Sequence, residues 1–260
     1  MIVIIKHNTN SIEFCVKYKT MIYNDQLTLA EIVTADNRAA VVLEQFQLDF
    51  CCRGKRTLKD ACVESNVALE EVKTLLQNIA GDRNRKTTKS FNEMTADELI
   101  SHIMRYHHFY VRQAVPQLIN FLAKLFQKHR ENFAWVEEGY KTFLLLQEDL
   151  LQHMDKEEHV LFPLIKSMTN DVATKTKHTC VINIMGPLSV MESEHLDAGK
   201  LMERLRVITN NFTPEEKACT THRVALVSLK EFEENLHQHV HLENNLLFPL
   251  AIKLYKELTA

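Results

Sequence analysis

The chain has 260 residues, room for one large domain or two small ones, and only 5 glycines and 5 prolines. So few chain breakers argue against a β-sandwich, a barrel or a glycine-rich nucleotide-binding sheet, and make long helices the expectation. A hydrophobic content of 45% with 25% charged residues is that of a globular protein, and a net charge of −3 gives no reason to expect nucleic acid or an anionic membrane as partner.

No apolar run is long enough to span a bilayer, and the N-terminus MIVIIKHNTN lacks the basic and apolar regions of a secretory signal. Six scattered cysteines (Cys15, Cys51, Cys52, Cys62, Cys180, Cys219) suggest a reducing compartment, so a cytoplasmic protein is expected. Residues 1–22 read as a β-prone extension, with Met21 a natural alternative start. Residues 23–80 read as a small domain of three short helices. The first carries Leu29, Ile32, Val33, Ala40, Leu43 and Phe46; Thr57 caps the second and Ser65 opens the third. The polar stretch 81–93 reads as a linker. Residues 94–260 give four long helical patterns, near 95–128, 133–168, 186–210 and 217–257, whose short connections predict an antiparallel four-helix bundle. The fold class is therefore all-α, with a β-tinged surface loop expected at 169–183.

Within the bundle the two halves repeat. HMDKEEHVLFP at 153–163 and HVHLENNLLFP at 239–249 both fit H-x3-E-x4-F-P, matching His153, Glu157, Phe162 and Pro163 to His239, Glu243, Phe248 and Pro249. The preceding helix of each half carries a histidine at a similar separation, His107 and His195. Residues i and i+4 share a helix face, so each His-x3-Glu pair converges on one point. Phase tests orientation. Leu146, Leu150, His153, Glu157 and Val160 form one stripe; Phe232, Leu236, His239, Glu243 and Leu246 form another. His107 aligns with Ile100, Ile103, Val111, Ala114 and Leu118, and His195 with Leu188, Met191, Ala198, Met202 and Leu205.

Four histidines and two glutamates on apolar faces would cost several kcal/mol if unpaired, a cost that coordination relieves for all six together. A single buried histidine is ordinarily a hydrogen-bonded core residue, but a duplicated unit is not expected by chance. Imidazole and carboxylate without thiolate suit iron or manganese. Two glutamates among four histidines predict two ions bridged by carboxylates, with an oxide or hydroxide bridge and one vacant position on each. The ferritin plan of paired E-x-x-H motifs fails, because Glu234 and His237 leave the apolar stripe; Glu192 or Glu194 could support His195 from behind. His102, His108, His129, His159, His178, His222, His237 and His241 fall off the stripes and read as surface residues.

Cys51 and Cys52 lie in a turn with Arg53, Lys55 and Arg56, before the helix start at Thr57. Positive charge and a helix N-terminus would favour thiolate there. Such a pair could deliver sulfur or electrons, ligate metal, cycle through a disulfide, or simply close a packed turn.

At these residues the sequence resembles the di-iron iron–sulfur cluster repair proteins, the repair-of-iron-centres family with a hemerythrin-like domain. The marks are DFCCRGKRTLKDAC, RYHH, HMDKEEHVLFP, MGPLSVMESEHLDAG and HLENNLLFP, in that order over 23–260. The resemblance implies iron ligands at His107, His153, Glu157, His195, His239 and Glu243, with Glu157 and Glu243 bridging two iron ions. It implies a cysteine-pair domain at Cys51 and Cys52, with a redox or transfer role, and a cytoplasmic stress-response protein, often a homodimer. Its partners would be iron–sulfur proteins damaged by nitric oxide or peroxide, restored by donated iron. Nitric oxide reduction at the di-iron site and hemerythrin-like oxygen binding or sensing are the alternatives.

Overall fold

The computed structural model describes residues 24–81, 91–175 and 183–260. The N-terminal extension 1–22, most of the linker, much of the 169–183 loop, Cys15, Cys180 and His178 lie outside these residues. The chain divides after Glu93 into two compact units.

Among the described residues the first unit has four short helices, α1 (Leu29–Ala35), α2 (Ala39–Gln45), α3 (Leu58–Glu64) and α4 (Leu69–Gly81). A single helix was expected over Leu29–Phe46, but Asp36 breaks it. Asp36 adopts an extended conformation, and its carbonyl accepts the Ala39 N–H (2.9 Å) to start α2. Thr28 and Glu31 form a capping box on α1, and Thr57 caps α3 by accepting from the Asp60 N–H. Ser65 closes α3 instead of opening α4; the chain turns at Asn66 with φ 54°. Apolar faces meet around Leu29, Ile32, Leu43, Phe50, Leu58 and Leu76, all essentially inaccessible to water.

The second unit is the four-helix bundle. Its first helix runs through α5 (Ala96–His102), a π-helical turn (Ile103–His108) and α6 (Phe109–His129). The second comprises α7 (Trp135–Lys156), a π-turn (Glu157–Leu161) and α8 (Phe162–Thr174). The third is α9 (Met185–Ile208). The fourth comprises α10 (Thr220–Leu242), a π-turn (Glu243–Leu247) and α11 (Phe248–Thr259). The first helix packs on the second and the fourth, and the second on the third, so the four enclose one core. Among the described residues no helix is long and apolar enough to cross a membrane.

The π-turns of the second and fourth helices follow from the repeated Phe-Pro. Pro163 and Pro249 have no N–H, and a proline ring clashes with the carbonyl four residues back in a regular α-helix. The helix opens instead: the Phe162 N–H donates to the Glu157 carbonyl and the Phe248 N–H to the Glu243 carbonyl, both five residues back. A π-turn inserts about one residue and shifts the apolar phase beyond it. Val160, expected on the inner stripe, is therefore 61% exposed, and Leu161 and Phe162 are buried in its place.

Candidate metal centre

The glutamates that start the two proline-linked π-turns meet in the middle of the bundle. Glu157 and Glu243 are fully buried. Glu157 Oε1 lies 3.3 Å from His153 Nε2, and its Oε2 lies 3.4 Å from His108 Nε2. Glu243 mirrors it, with Oε1 3.0 Å from His239 Nε2 and Oε2 3.1 Å from His195 Nε2. The ring nitrogens face each other in pairs across the bundle, His108 with His239 at 3.1 Å and His153 with His195 at 2.9 Å. Two potential cation sites result, His108/His239 and His153/His195, and both include Glu157 and Glu243.

Five of the six expected donors come together here. The sixth place is taken by His108 and not by His107, which corrects the sequence expectation. The π-turn Ile103–His108 is the reason: its extra residue carries His108 inward, where a regular 3.6-residue phase puts His107. His107 is also buried, but its Nδ1 lies 3.2 Å from Asn235 Oδ1 and its ring stacks on that of His239 at 5.6 Å. The bundle's internal repeat agrees with this placement. His108 stacks on Phe162, and its counterpart His195 stacks on Phe248, the phenylalanines of the two Phe-Pro pairs. His222 and His241 are buried as well, against the surface reading. His222 packs among Phe133 and Trp135, and His241 Nδ1 lies 3.0 Å from Asn245 Nδ2.

Partners behind the rings fix their direction. His108 Nδ1 lies 2.7 Å from Glu158 Oε1, a carboxylate that also accepts from Arg112. His153 Nδ1 lies 2.8 Å from Glu194 Oε2, and Lys156 donates to the other oxygen of Glu194. His195 Nδ1 lies 2.8 Å from Asn244 Oδ1. Of Glu192 and Glu194, the two candidates to support His195, Glu194 lies behind the facing ring of His153. With Nδ1 held from behind, His108, His153 and His195 turn Nε2 to the centre, as metal-binding imidazoles require.

The electrostatics are those of a site built for positive charge. Burial opposes protonation of His108, but the facing Glu157 and Glu243 carboxylates outweigh it and push its pKa up to about 10. Burial likewise opposes charge on His153, and Glu157, Glu243 and Glu194 raise it to about 9. Burial and mutual repulsion oppose charge on the carboxylates, but the facing rings hold Glu157 below and Glu243 well below the ordinary value. His107, by contrast, is held down to about 3 by burial and by the neighbouring His239.

Both Glu157 oxygens, Glu243 Oε2 and His239 Nδ1 are buried without a hydrogen-bond partner. Orphaned carboxylate oxygens at full burial cost several kcal/mol. Cations between the ring pairs would satisfy the three carboxylate oxygens, and an all-nitrogen-and-oxygen donor set suits iron. A cavity of about 240 Å³ between α7, α9 and α10 reaches His153, His195 and His239, with Lys156 and Glu194 on its wall.

In the small unit Asp49, Cys51 and Cys52 form a third cluster. The Asp49 Oδ1 accepts the backbone N–H of Cys51 (3.0 Å) and of Cys52 (2.9 Å) and lies 3.2 Å from Cys51 Sγ. The basic residues do not serve the thiols as expected, since Arg53 and Arg56 both pair with Glu64. A hydrogen bond with Cys52, burial and the Asp49 charge hold the Cys51 thiol well above its ordinary value. The expectation of a favoured thiolate is therefore reversed at Cys51.

Comparison with known proteins agrees with both units. Residues 99–251 match the hemerythrin HHE cation binding domain, and residues 25–80 match a domain of unknown function, DUF542. The chain is 35% identical over 233 residues to the iron-sulfur cluster repair protein YtfE of Dickeya chrysanthemi (strain Ech1591), covering 90% of this chain and 99% of that one. Against the protein of the same name from Enterobacter sp. (strain 638) the identity is 35%, with 89% and 99% covered. Against that of Musicola paradisiaca (strain Ech703) it is 34%, with 87% and 96% covered. An all-α bundle with a buried histidine–glutamate centre, joined to a cysteine-pair unit and matched over nearly its whole length, places this chain in the family of iron–sulfur cluster repair proteins with a hemerythrin HHE domain.

Proposed function

We propose that the bundle holds two iron ions joined by an oxide or hydroxide bridge, and that the protein restores damaged iron–sulfur clusters by giving up that iron. His108 and His239 would hold one ion, His153 and His195 the other, with Glu157 and Glu243 spanning both. One observation carries the reading: each glutamate turns one oxygen to each pair of ring nitrogens. When bound, the irons supply labile ferrous ion and open coordination positions.

The chain's own residues favour release. The chain itself supplies only two carboxylates against the charge of two ferrous ions, so the rest of the compensation falls to the exchangeable oxide or hydroxide bridge, whose protonation would loosen the irons. The cavity beside His153, His195 and His239 has room for several water-sized molecules at about 30 Å³ each, which lets water or a small ligand compete for the metal. Lys156 and Glu194 stand at this cavity, and their ion pair keeps Glu194 ionised behind His153. The relatives' name, iron-sulfur cluster repair protein, supports iron–sulfur proteins as the client class. The clients we propose are such proteins damaged by nitric oxide or peroxide in the cytoplasm.

The test is reactivation of a nitric-oxide-damaged iron–sulfur dehydratase by iron-loaded protein under anaerobic conditions. Recovery above that given by the same amount of free ferrous salt is expected; recovery no better than the salt rejects donation. The cavity also supports a second reading, reduction of nitric oxide at the paired irons, because its volume admits two diatomic molecules. Anaerobic consumption of nitric oxide with matching nitrous oxide would favour it.

A further inference from the structure

The cysteine pair of the small unit lies outside the bundle's donor set, and its geometry is specific. Cys51 Sγ and Cys52 Sγ lie 3.8 Å apart. Two thiolates bound tetrahedrally to one ion at about 2.3 Å are separated by about 3.8 Å. A thiolate and a carboxylate oxygen at about 2.3 and 2.1 Å are separated by about 3.6 Å; Cys51 Sγ and Asp49 Oδ1 stand at 3.2 Å, within a few tenths of an ångström.

The turn holds these groups in place independently of any ligand. The backbone N–H groups of Cys51 and Cys52 fix Asp49, and Gly54 allows the chain to fold back, since a Cβ there would meet the Phe50 carbonyl oxygen at 2.2 Å. The Gly54 and Arg56 carbonyls accept the Ala30 (2.9 Å) and Leu29 (3.0 Å) N–H groups, tying the turn to the first residues of α1. Cys51 is buried, whereas Asp49 and Cys52 are partly exposed, so the cluster opens to solvent on one side.

We propose that Asp49, Cys51 and Cys52 form a metal site of their own, which takes one thiophilic divalent cation and leaves a fourth position open. Binding exchanges two thiol protons for the cation: both sulfur–hydrogen bonds break heterolytically, the protons pass to solvent, two metal–sulfur bonds form, and nothing is oxidised or reduced. The cation supplies the positive charge that Arg53 and Arg56 withhold by pairing with Glu64. Softness separates this site from the bundle centre, because two sulfurs and one oxygen select zinc, cobalt or ferrous ion over harder cations. The inference does not rest on the bundle's proposed activity.

The experiment uses the full chain, reduced, with the bundle first loaded anaerobically with iron and freed of excess. Cobalt(II) titration should give thiolate-to-cobalt charge-transfer absorption saturating at one equivalent per chain, and zinc should abolish it. The band should be lost in the Cys51→Ser/Cys52→Ser variant, with helicity unchanged. Independently of any variant, zinc should protect Cys51 and Cys52 together from alkylation in the wild-type protein, while Cys62 and Cys219 keep their reactivity. Absence of the band, its persistence in the double variant, or equal alkylation with and without zinc overturns the proposal. Because the bundle is filled beforehand, failure here leaves the bundle reading untouched.

Discussion

Loading the metal-free bundle with ferrous ion should expel protons, and the number follows from the site. His108, with a pKa of about 10, and His153, with one of about 9, are cationic at pH 7, while Glu157 and Glu243 are held ionised. Coordination needs both ring nitrogens neutral, so about two protons per chain should leave the histidines at pH 7, in addition to any from the water that becomes the bridge. At about 1.4 kcal/mol per pKa unit, discharging His108 costs ~4 kcal/mol and His153 ~3 kcal/mol, to be met from the binding energy. The sign is definite. Both pKa values are raised above the unfolded value of about 6.5, so their contribution to the stability of the metal-free fold is complete below that pH and fades as pH rises through about 9 and 10. The histidines' share of the proton release should make affinity for the two ions together climb about 100-fold per pH unit from 7 towards 9, and that share should then fade. Anaerobic calorimetry in buffers of different ionisation enthalpy counts the protons, and repeating it up to pH 10 follows their decline. A count near zero at pH 7, or one that does not fall between pH 8 and pH 10, would refute the charge assignment.

The histidine doublet separates by mutation: His108→Ala should lose about one iron per chain, whereas His107→Ala should retain both, as read by metal analysis on folded protein; the opposite pattern would return His107 to the centre. Glu157→Gln and Glu243→Gln each weaken both sites, so either should deplete both ions together in spectra of the loaded protein, and selective loss of one would deny the shared position. Removing the negative charge behind His153 with Glu194→Gln should reduce iron affinity by roughly 10–100-fold while leaving the thermal stability of the metal-free protein within a few degrees. Phe232 is fully buried and packs edge-on against Phe143 with ring centroids 5.6 Å apart, so Phe232→Ala should destabilise the fold by about 3–5 kcal/mol in denaturant titration, with or without iron.

Much of the centre was readable because it repeats. His153, Glu157, His239 and Glu243 are separated by whole α-helical turns before each π-turn begins, so regular periodicity points them correctly, and His195 lies on α9, whose phase is uninterrupted. His108 was missed because 3.6 residues per turn does not describe 103–108, and nothing resembling the downstream Phe-Pro announces that π-turn. A usable signal was present in the second and fourth helices: a proline within a helical pattern, six residues after a glutamate, calls for a widened turn and shifts Val160 outward. The supporting partners Glu158, Asn235 and Asn244 come from neighbouring helices or from the residue beside a ligand, and only packing reveals them. In the cysteine turn, counting local basic residues missed that Glu64, a full helix away, takes both arginines.

Mössbauer spectroscopy of the purified chain loaded with iron-57, combined with metal analysis, addresses the central claim most directly. The account predicts two irons per chain in nitrogen- and oxygen-rich surroundings, giving, once oxidised, a diamagnetic ground state from antiferromagnetic exchange across the shared carboxylates. One iron per chain, or two that remain magnetically isolated, would contradict it.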